Sequence, residues 1–146
     1  MTANDSQIAG NHYKSNYQHW DWCLEALQNR YLEGQVTKYV ARWRKKNGLQ
    51  DLEKALHFLQ KLKESAQLKT VLPITTSRLR PAQCYVDACV DNFVRANTLT
   101  TDEAQVMELM ANWRTWSGLD LTRAAIERLM EEAKAAEPGA AYVHQG

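Results

Sequence analysis

The sequence predicts an all-α protein, a helical bundle of two degenerate tandem three-helix units, and three observations predict it. Apolar residues recur at helical spacing along most of the 146 residues, and no segment alternates as a half-buried strand does. Gly, Asn and Pro interrupt that pattern at intervals a short helix fills. The order of motifs in the first half returns in the second.

After a polar leader, Trp20, Cys23, Leu24, Leu27 and Tyr31 make a helical stripe that ends at Gly34. A basic helix is expected from about Gln35 to Lys46, stopped by Asn47-Gly48 as a left-handed terminator. Val36, Tyr39, Val40 and Trp43 form its apolar stripe, and Lys38, Arg42, Lys45 and Lys46 lie together on another face. Asp51 is placed to cap the next helix, whose stripe is Leu52, Ala55, Leu56, Leu59 and Leu62. A connection rich in Pro, Thr and Ser, residues 70–81, links the first unit (11–66) to the second (82–136). The second unit holds helices near Ala82–Ala96, Asp102–Trp116 and Asp120–Ala136, and residues 138–146 read as a flexible tail.

The repeat is visible residue by residue. Gln35-Val36, Tyr39-Val40-Ala41-Arg42-Trp43-Arg44, Gly48-Leu49 and Asp51-Leu52 return as Gln105-Val106, Leu109-Met110-Ala111-Asn112-Trp113-Arg114, Gly118-Leu119 and Asp120-Leu121. Upstream, the run Asp21 to Leu27 matches Asp87 to Phe93. The cations do not recur: Lys38, Arg42, Lys45 and Lys46 correspond to Glu108, Asn112, Thr115 and Trp116. Trp43/Trp113, Gly48/Gly118 and Asp51/Asp120 therefore read as scaffold, and the unshared cations as function.

At this length one domain buries roughly two-thirds of its unfolded surface. A net charge of +1 argues against a general polyanion binder, but the charge is polarised. Residues 36–64 carry eight Lys/Arg against three acids, and residues 102–137 carry four against eight. Such halves attract one another within or between chains, and with five Trp they favour a homo-oligomer. Cys23, Cys84 and Cys89 form no CxxC pair and read as buried thiols of a reducing compartment. No signal peptide or membrane-length apolar run is evident, so a cytoplasmic protein without membrane contact is expected.

Three constellations carry chemistry. Guanidinium and ammonium groups one turn apart suit phosphate oxygens, with a solvated stripe as the plain alternative. Nucleic acid ranks below a small anion, because the phase of Tyr39 and Trp43 puts both rings in the core stripe. Asp21 with Glu25, and Asp87 with Asp91, are carboxylate pairs at i, i+4 that would hold Mg²⁺ if they faced one another. Paired acids on solvated faces are the more ordinary reading. His12, Tyr13 and Lys14 precede the first helix, where they would close over a pocket as proton shuttle, stacking ring and phosphate ligand. His19 and His57 read as flank residues. No GxxxxGK[ST], GxGxxG or GxSxG occurs, so any phosphate chemistry proceeds without a P-loop.

His12 to Lys14, Gln18 to Trp22, Tyr31 to Gly48 and Asp51 to Leu62 resemble a family of small bacteriophage proteins called nucleotide kinase-like after a podovirus deoxynucleotide kinase. The resemblance covers roughly residues 11–64 and centres on Gly34, Lys38-Tyr39, Arg42, Lys46, Gly48, Asp51-Leu52 and Lys54-Ala55. It implies a phage protein of the bacterial host cytoplasm that handles deoxynucleotides, moves phosphate without a Walker motif and forms oligomers. It also implies that His12, Tyr13, Lys14, Lys38, Arg42, Lys46, Asp51 and Lys54 are functional. The leading expectation is a P-loop-independent deoxynucleoside monophosphate kinase. On that reading Lys38, Arg42 and His12 are catalytic, and Tyr13, Lys14, Lys45, Lys46 and Lys54 bind ligand. Asp51 is read as a cap rather than a base. The rivals are a non-catalytic binder that sequesters a host signal nucleotide, a host-directed interaction protein, and a helical pyrophosphohydrolase. The lack of ExxE and ExxD motifs weighs against the last.

Overall fold

The computed structural model describes residues 2–5 and 15–137. They form six α-helices and, among the described residues, no strand. The helices are α1 (His19–Ala26), α2 (Tyr31–Arg42), α3 (Leu49–Gln67), α4 (Gln83–Ala96), α5 (Thr101–Asn112) and α6 (Trp116–Ala136). Short 3-10 turns occur at Ala3–Asp5, Trp43–Lys45 and Ile74–Thr76. The all-α expectation holds. No helix among the described residues is long and apolar enough to cross a membrane.

Packing follows the repeat. Within the halves α2 lies against α3 and α5 against α6, while α1 meets α4, α2 meets α5 and α3 meets α6. Each helix thus touches its own counterpart, as across the two-fold axis of a symmetric dimer. α2 and α5 start and end seventy positions apart, 31 to 101 and 42 to 112. Two buried bonds cross between the halves in reciprocal fashion. Trp43 Nε1 donates to Glu103 Oε2 at 2.6 Å, and Trp113 Nε1 donates to Glu33 Oε2 at 3.0 Å. All four residues are buried, so each pair satisfies one interior donor and one interior carboxylate. Arg30 pairs with Glu33 at 2.7 Å, and Arg44 with Glu103 at 2.9 Å.

The core runs along this axis. Trp22 of α1 stacks on Phe93 of α4 with ring centroids 5.0 Å apart, and Val36, Val40, Leu52, Leu59, Met107, Met110, Ile126 and Leu129 are fully enclosed. Part of the polarised charge is paired inside the chain, where Arg44 grips Glu132 through two bonds of 2.7 and 2.9 Å and Lys63 meets Asp120 at 2.6 Å.

Several local expectations are corrected. Helix α1 buries Trp22, Cys23 and Ala26, leaving Trp20 and Leu24 exposed. The break before α2 falls at Gln28 and Asn29 (φ 50° and 58°), so Gly34 lies inside α2 rather than ending a helix. At Trp43 the backbone tightens into a 3-10 turn, and Gly48 (φ 56°) opens α3 in a conformation glycine adopts at least cost. α5 ends at Asn112 and α6 begins at Trp116, four residues earlier than expected. The 70–81 connection is pinned: Ile74 is fully buried, Arg30 donates to the Leu72 carbonyl at 2.5 Å, and Arg80 donates to Asn112 Oδ1 at 2.7 Å. Cys23 and Cys89 are buried as expected, but Cys84 is exposed. The 138–146 tail lies outside the described residues.

Candidate functional site

Helices α2 and α3 are joined by the turn at residues 43–48 and pack face to face. Asp51, Lys54 and Phe58 recur at i, i+3, i+7 along α3, and Lys38, Tyr39 and Arg42 share one turn of α2. The two sets meet. Tyr39 stacks on Phe58 at 5.9 Å with 12° between the planes, and Phe58 meets Tyr31 edge-on at 6.1 Å. Three cations surround the Tyr39 ring: Lys38 Nζ at 4.6 Å, Arg42 Cζ at 4.6 Å and Lys54 Nζ at 5.5 Å from its centroid. The electron-rich face of the ring offsets part of their mutual repulsion.

Arg42 also meets Asp51. Its Nε and Nη2 donate to Asp51 Oδ2 and Oδ1, both at 3.2 Å, with the Asp51 side chain wholly buried and Arg42 nearly so. Asn47 adds two longer contacts of 3.4 Å from its backbone and side-chain nitrogens. Asp51 therefore does not cap α3: it is the buried counter-ion of Arg42, and Gly48 takes the cap position with no side-chain bond. Among the described residues, three cations and one carboxylate give the cluster a formal charge of +2 around one partly buried ring. That arrangement attracts a polyanion, and the two lysines, each only partly buried, can reach its oxygens.

The predicted cationic face is divided. Lys38 and Arg42 stay together and Lys54 joins them from α3. Lys45 and Lys46 are exposed beyond the 3-10 turn, where the 100° helical phase no longer applies. Lys46 lines a separate depression with Leu49, Ala133 and Ala136 beside the end of α6. His12, Tyr13 and Lys14 lie outside the described residues.

The carboxylates chosen for Mg²⁺ are engaged separately. Asp21 accepts from Asn4 Nδ2 at 2.6 Å, Glu25 from the Tyr17 hydroxyl and from Cys89 Sγ at 3.7 Å, and Asp87 from Gln83 Nε2 at 2.7 Å. Asp91 is exposed. Among the described residues no three His, Cys, Asp or Glu side chains form a group able to hold a metal. Burial, and then the bond to Glu25, push the Tyr17 hydroxyl far above its ordinary value.

His19 is more than a flank residue. A ring nitrogen lies 2.8 Å from Thr37 Oγ1 and 3.4 Å from Cys23 Sγ. Burial, then the nearby charge of Lys38, lower its pKa to about 3, and burial pushes the Cys23 thiol up to about 12. Both groups are neutral at pH 7, which gives an uncharged floor beside a strongly cationic cluster. His57 is exposed.

The buried positions also correct the register between the halves. Leu52/Thr122, Ala55/Ala125 and Leu59/Leu129 are enclosed pairs at the same seventy-residue offset as α2 and α5. On that offset Asp51 corresponds to exposed Leu121, whereas Asp120 is an exposed partner of Lys63. Asp51 is therefore peculiar to the first half, as are the cations. Lys38, Tyr39, Arg42, Asp51, Lys54 and Phe58 face Glu108, Leu109, Asn112, Leu121, Ala124 and Arg128 in the comparison.

A model of the family described as protein of unknown function (DUF3310) matches residues 9–60, under half of the chain. The matched stretch contains every residue of the Tyr39 cluster. No curated protein and no solved structure matches the chain.

Proposed function

We propose that this chain is a phage nucleotide-handling protein that holds the phosphates of a deoxynucleotide at the Tyr39 cluster. One observation carries the reading: Lys38, Arg42 and Lys54 converge within 5.5 Å of a single ring, in the half of the molecule that the family model matches. Lys38 and Lys54 contact phosphate oxygens. Arg42, fixed by Asp51, adds charge from below without needing to move. With the resemblance to the podovirus kinase, the leading activity is P-loop-independent phosphoryl transfer to a deoxynucleoside monophosphate, in the bacterial host cytoplasm and in a homo-oligomer. Such a transfer is accelerated chiefly by positioning and by charge aimed at the equatorial oxygens, which this cluster supplies.

A second reading is a non-catalytic nucleotide binder. The paired state of Arg42 favours it, because the guanidinium best suited to a transferring phosphoryl group is already engaged by Asp51. One experiment separates the two. The purified full-length chain is incubated with Mg²⁺, the four deoxynucleoside monophosphates and a triphosphate donor, and the products are chromatographed. New diphosphate identifies a kinase, and intact ligand retained by the protein identifies a binder. Monophosphate with pyrophosphate would mean a pyrophosphohydrolase. Absence of both turnover and retention, or no effect of Lys38→Ala and Lys54→Ala on either, contradicts the site.

A further inference from the structure

An open groove of about 530 Å³ runs between α1 and α2 and ends at Lys38. Its α2 wall is the i, i+3, i+4, i+7 face Tyr31, Gly34, Gln35, Lys38, about 10 Å long at 1.5 Å per residue. Its α1 wall carries Trp20, which is 48% exposed. The two walls run antiparallel, since His19 meets Thr37 and Cys23 meets Gly34, so Trp20 lies toward the Lys38 end and Tyr31 toward the other, with the neutral His19 and Cys23 pair as the floor and Asp21 and Arg30 also in the lining. At Lys38 it joins the cationic cluster, and the Tyr31–Phe58–Tyr39 ring contacts link the two ends continuously. Gly34 faces Cys23 across the groove floor, where a Cβ would meet Cys23 Sγ at an ordinary contact distance of 3.5 Å.

A half-exposed indole beside a dense positive cluster offers one partner to the base and another to the phosphates of a nucleotide. The volume falls within the range of small-ligand sites, and aromatic rings with a few polar edges are their usual lining. We infer that this groove is the base pocket of the phosphate site: the nucleobase lies against the Trp20 ring, and the phosphates extend past Lys38 toward Lys54. The inference rests on the nucleotide reading above and adds the ring that recognises the base. Gln35 and Asn29 stand along the same groove, where their amides can meet the polar edge of a base. Trp20 and Leu24 occupy the exposed face of α1, whereas the buried face holds Trp22, Cys23 and Ala26, so the core does not account for an indole at position 20.

The test is calorimetric titration of the full-length chain with each of the four deoxynucleoside triphosphates and with inorganic tripolyphosphate, which has no base. Wild type is compared with Trp20→Ala, Trp20→Phe and Lys54→Ala, with circular dichroism as the check on folding. Stacking on one aromatic side chain corresponds to roughly a 5- to 150-fold change in affinity. Trp20→Ala is expected to weaken the tightest nucleotide by that factor while leaving tripolyphosphate affinity unchanged, and Trp20→Phe to restore most of the loss. Lys54→Ala is expected to weaken both ligands. If Trp20→Ala leaves nucleotide affinity unchanged while Lys54→Ala weakens both, the base lies elsewhere and the phosphate site stands. If neither ligand binds wild type, the phosphate site itself fails and the base pocket falls with it.

Discussion

Replacing Asp51 by Asn keeps the size of the side chain and removes the charge beneath Arg42. Both residues lie in the interior, with side-chain exposures of 0% and 8%, and two bonds of 3.2 Å join them. At that separation and an effective dielectric constant of about 20, the attraction is about 5 kcal/mol before desolvation is subtracted. Desolvation cancels much of it in the intact pair, but removing one partner leaves its cost in place, typically about 3–5 kcal/mol. In a domain of this size each kcal/mol moves the midpoint by about 2–4 °C, so Asp51→Asn should lower Tm by roughly 6–20 °C. Urea unfolding followed by tryptophan fluorescence measures the change directly, because Trp43 sits at the α2–α3 turn beside the pair. The double variant Arg42→Met, Asp51→Leu should recover most of the loss. An Asp51→Asn protein as stable as wild type would refute the view that Asp51 is a buried counter-ion.

Glu33→Ala and Glu103→Ala each strand a buried indole N–H, so each should cost about 1–3 kcal/mol in denaturant titration. A large cost at one and none at the other would contradict the internal two-fold. Gly34→Ala adds a methyl at ordinary contact distance inside a helix and should stabilise by up to about 1 kcal/mol, whereas Gly48→Ala, at φ 56°, should destabilise. Thermal melts that gave the two the same sign would count against these backbone assignments. His19 has its pKa lowered from 6.5 to about 3 in the fold, so the unfolded chain binds the extra proton between those values. Its contribution to stability is complete above pH 6.5 and is lost as pH falls toward 3. NMR should show no titration of the His19 ring between pH 5 and 8, and denaturation curves should show a shallower acid decline in His19→Gln.

Much of the fold was readable because helical periodicity, the Trp43/Trp113 pair and the repeated motif order are properties of the chain itself. What eluded the sequence depended on contacts between distant segments. Gly34 resembles a helix stop until Cys23 is known to pack over it, and the true break at Gln28-Asn29 lacks the usual glycine. The four-cation face assumed one unbroken helix, so the 3-10 turn at Trp43 removed Lys45 and Lys46 from it. Asp51 looked like a cap because Asp120 holds a similar place, and only the enclosed pairs fixed the register that separates them. Lys38 and Arg42 followed from charge and spacing. Tyr39 packs partly against the core, as its helical phase predicts, and it is also the ring around which the cations gather, which phase alone does not show. The Trp20 groove gave no signal, since an exposed indole and a buried one look alike in a short apolar run.

The most direct test of the central claim, that the first half binds nucleotide phosphate and the second half does not, is a backbone NMR titration of the full-length chain with deoxynucleoside triphosphates. Amide shifts are expected to concentrate around Lys38, Tyr39, Arg42 and Lys54 and to leave Glu108, Leu109, Asn112 and Ala124 unmoved. Shifts of equal size at both sets, or confined to the second, would contradict that claim.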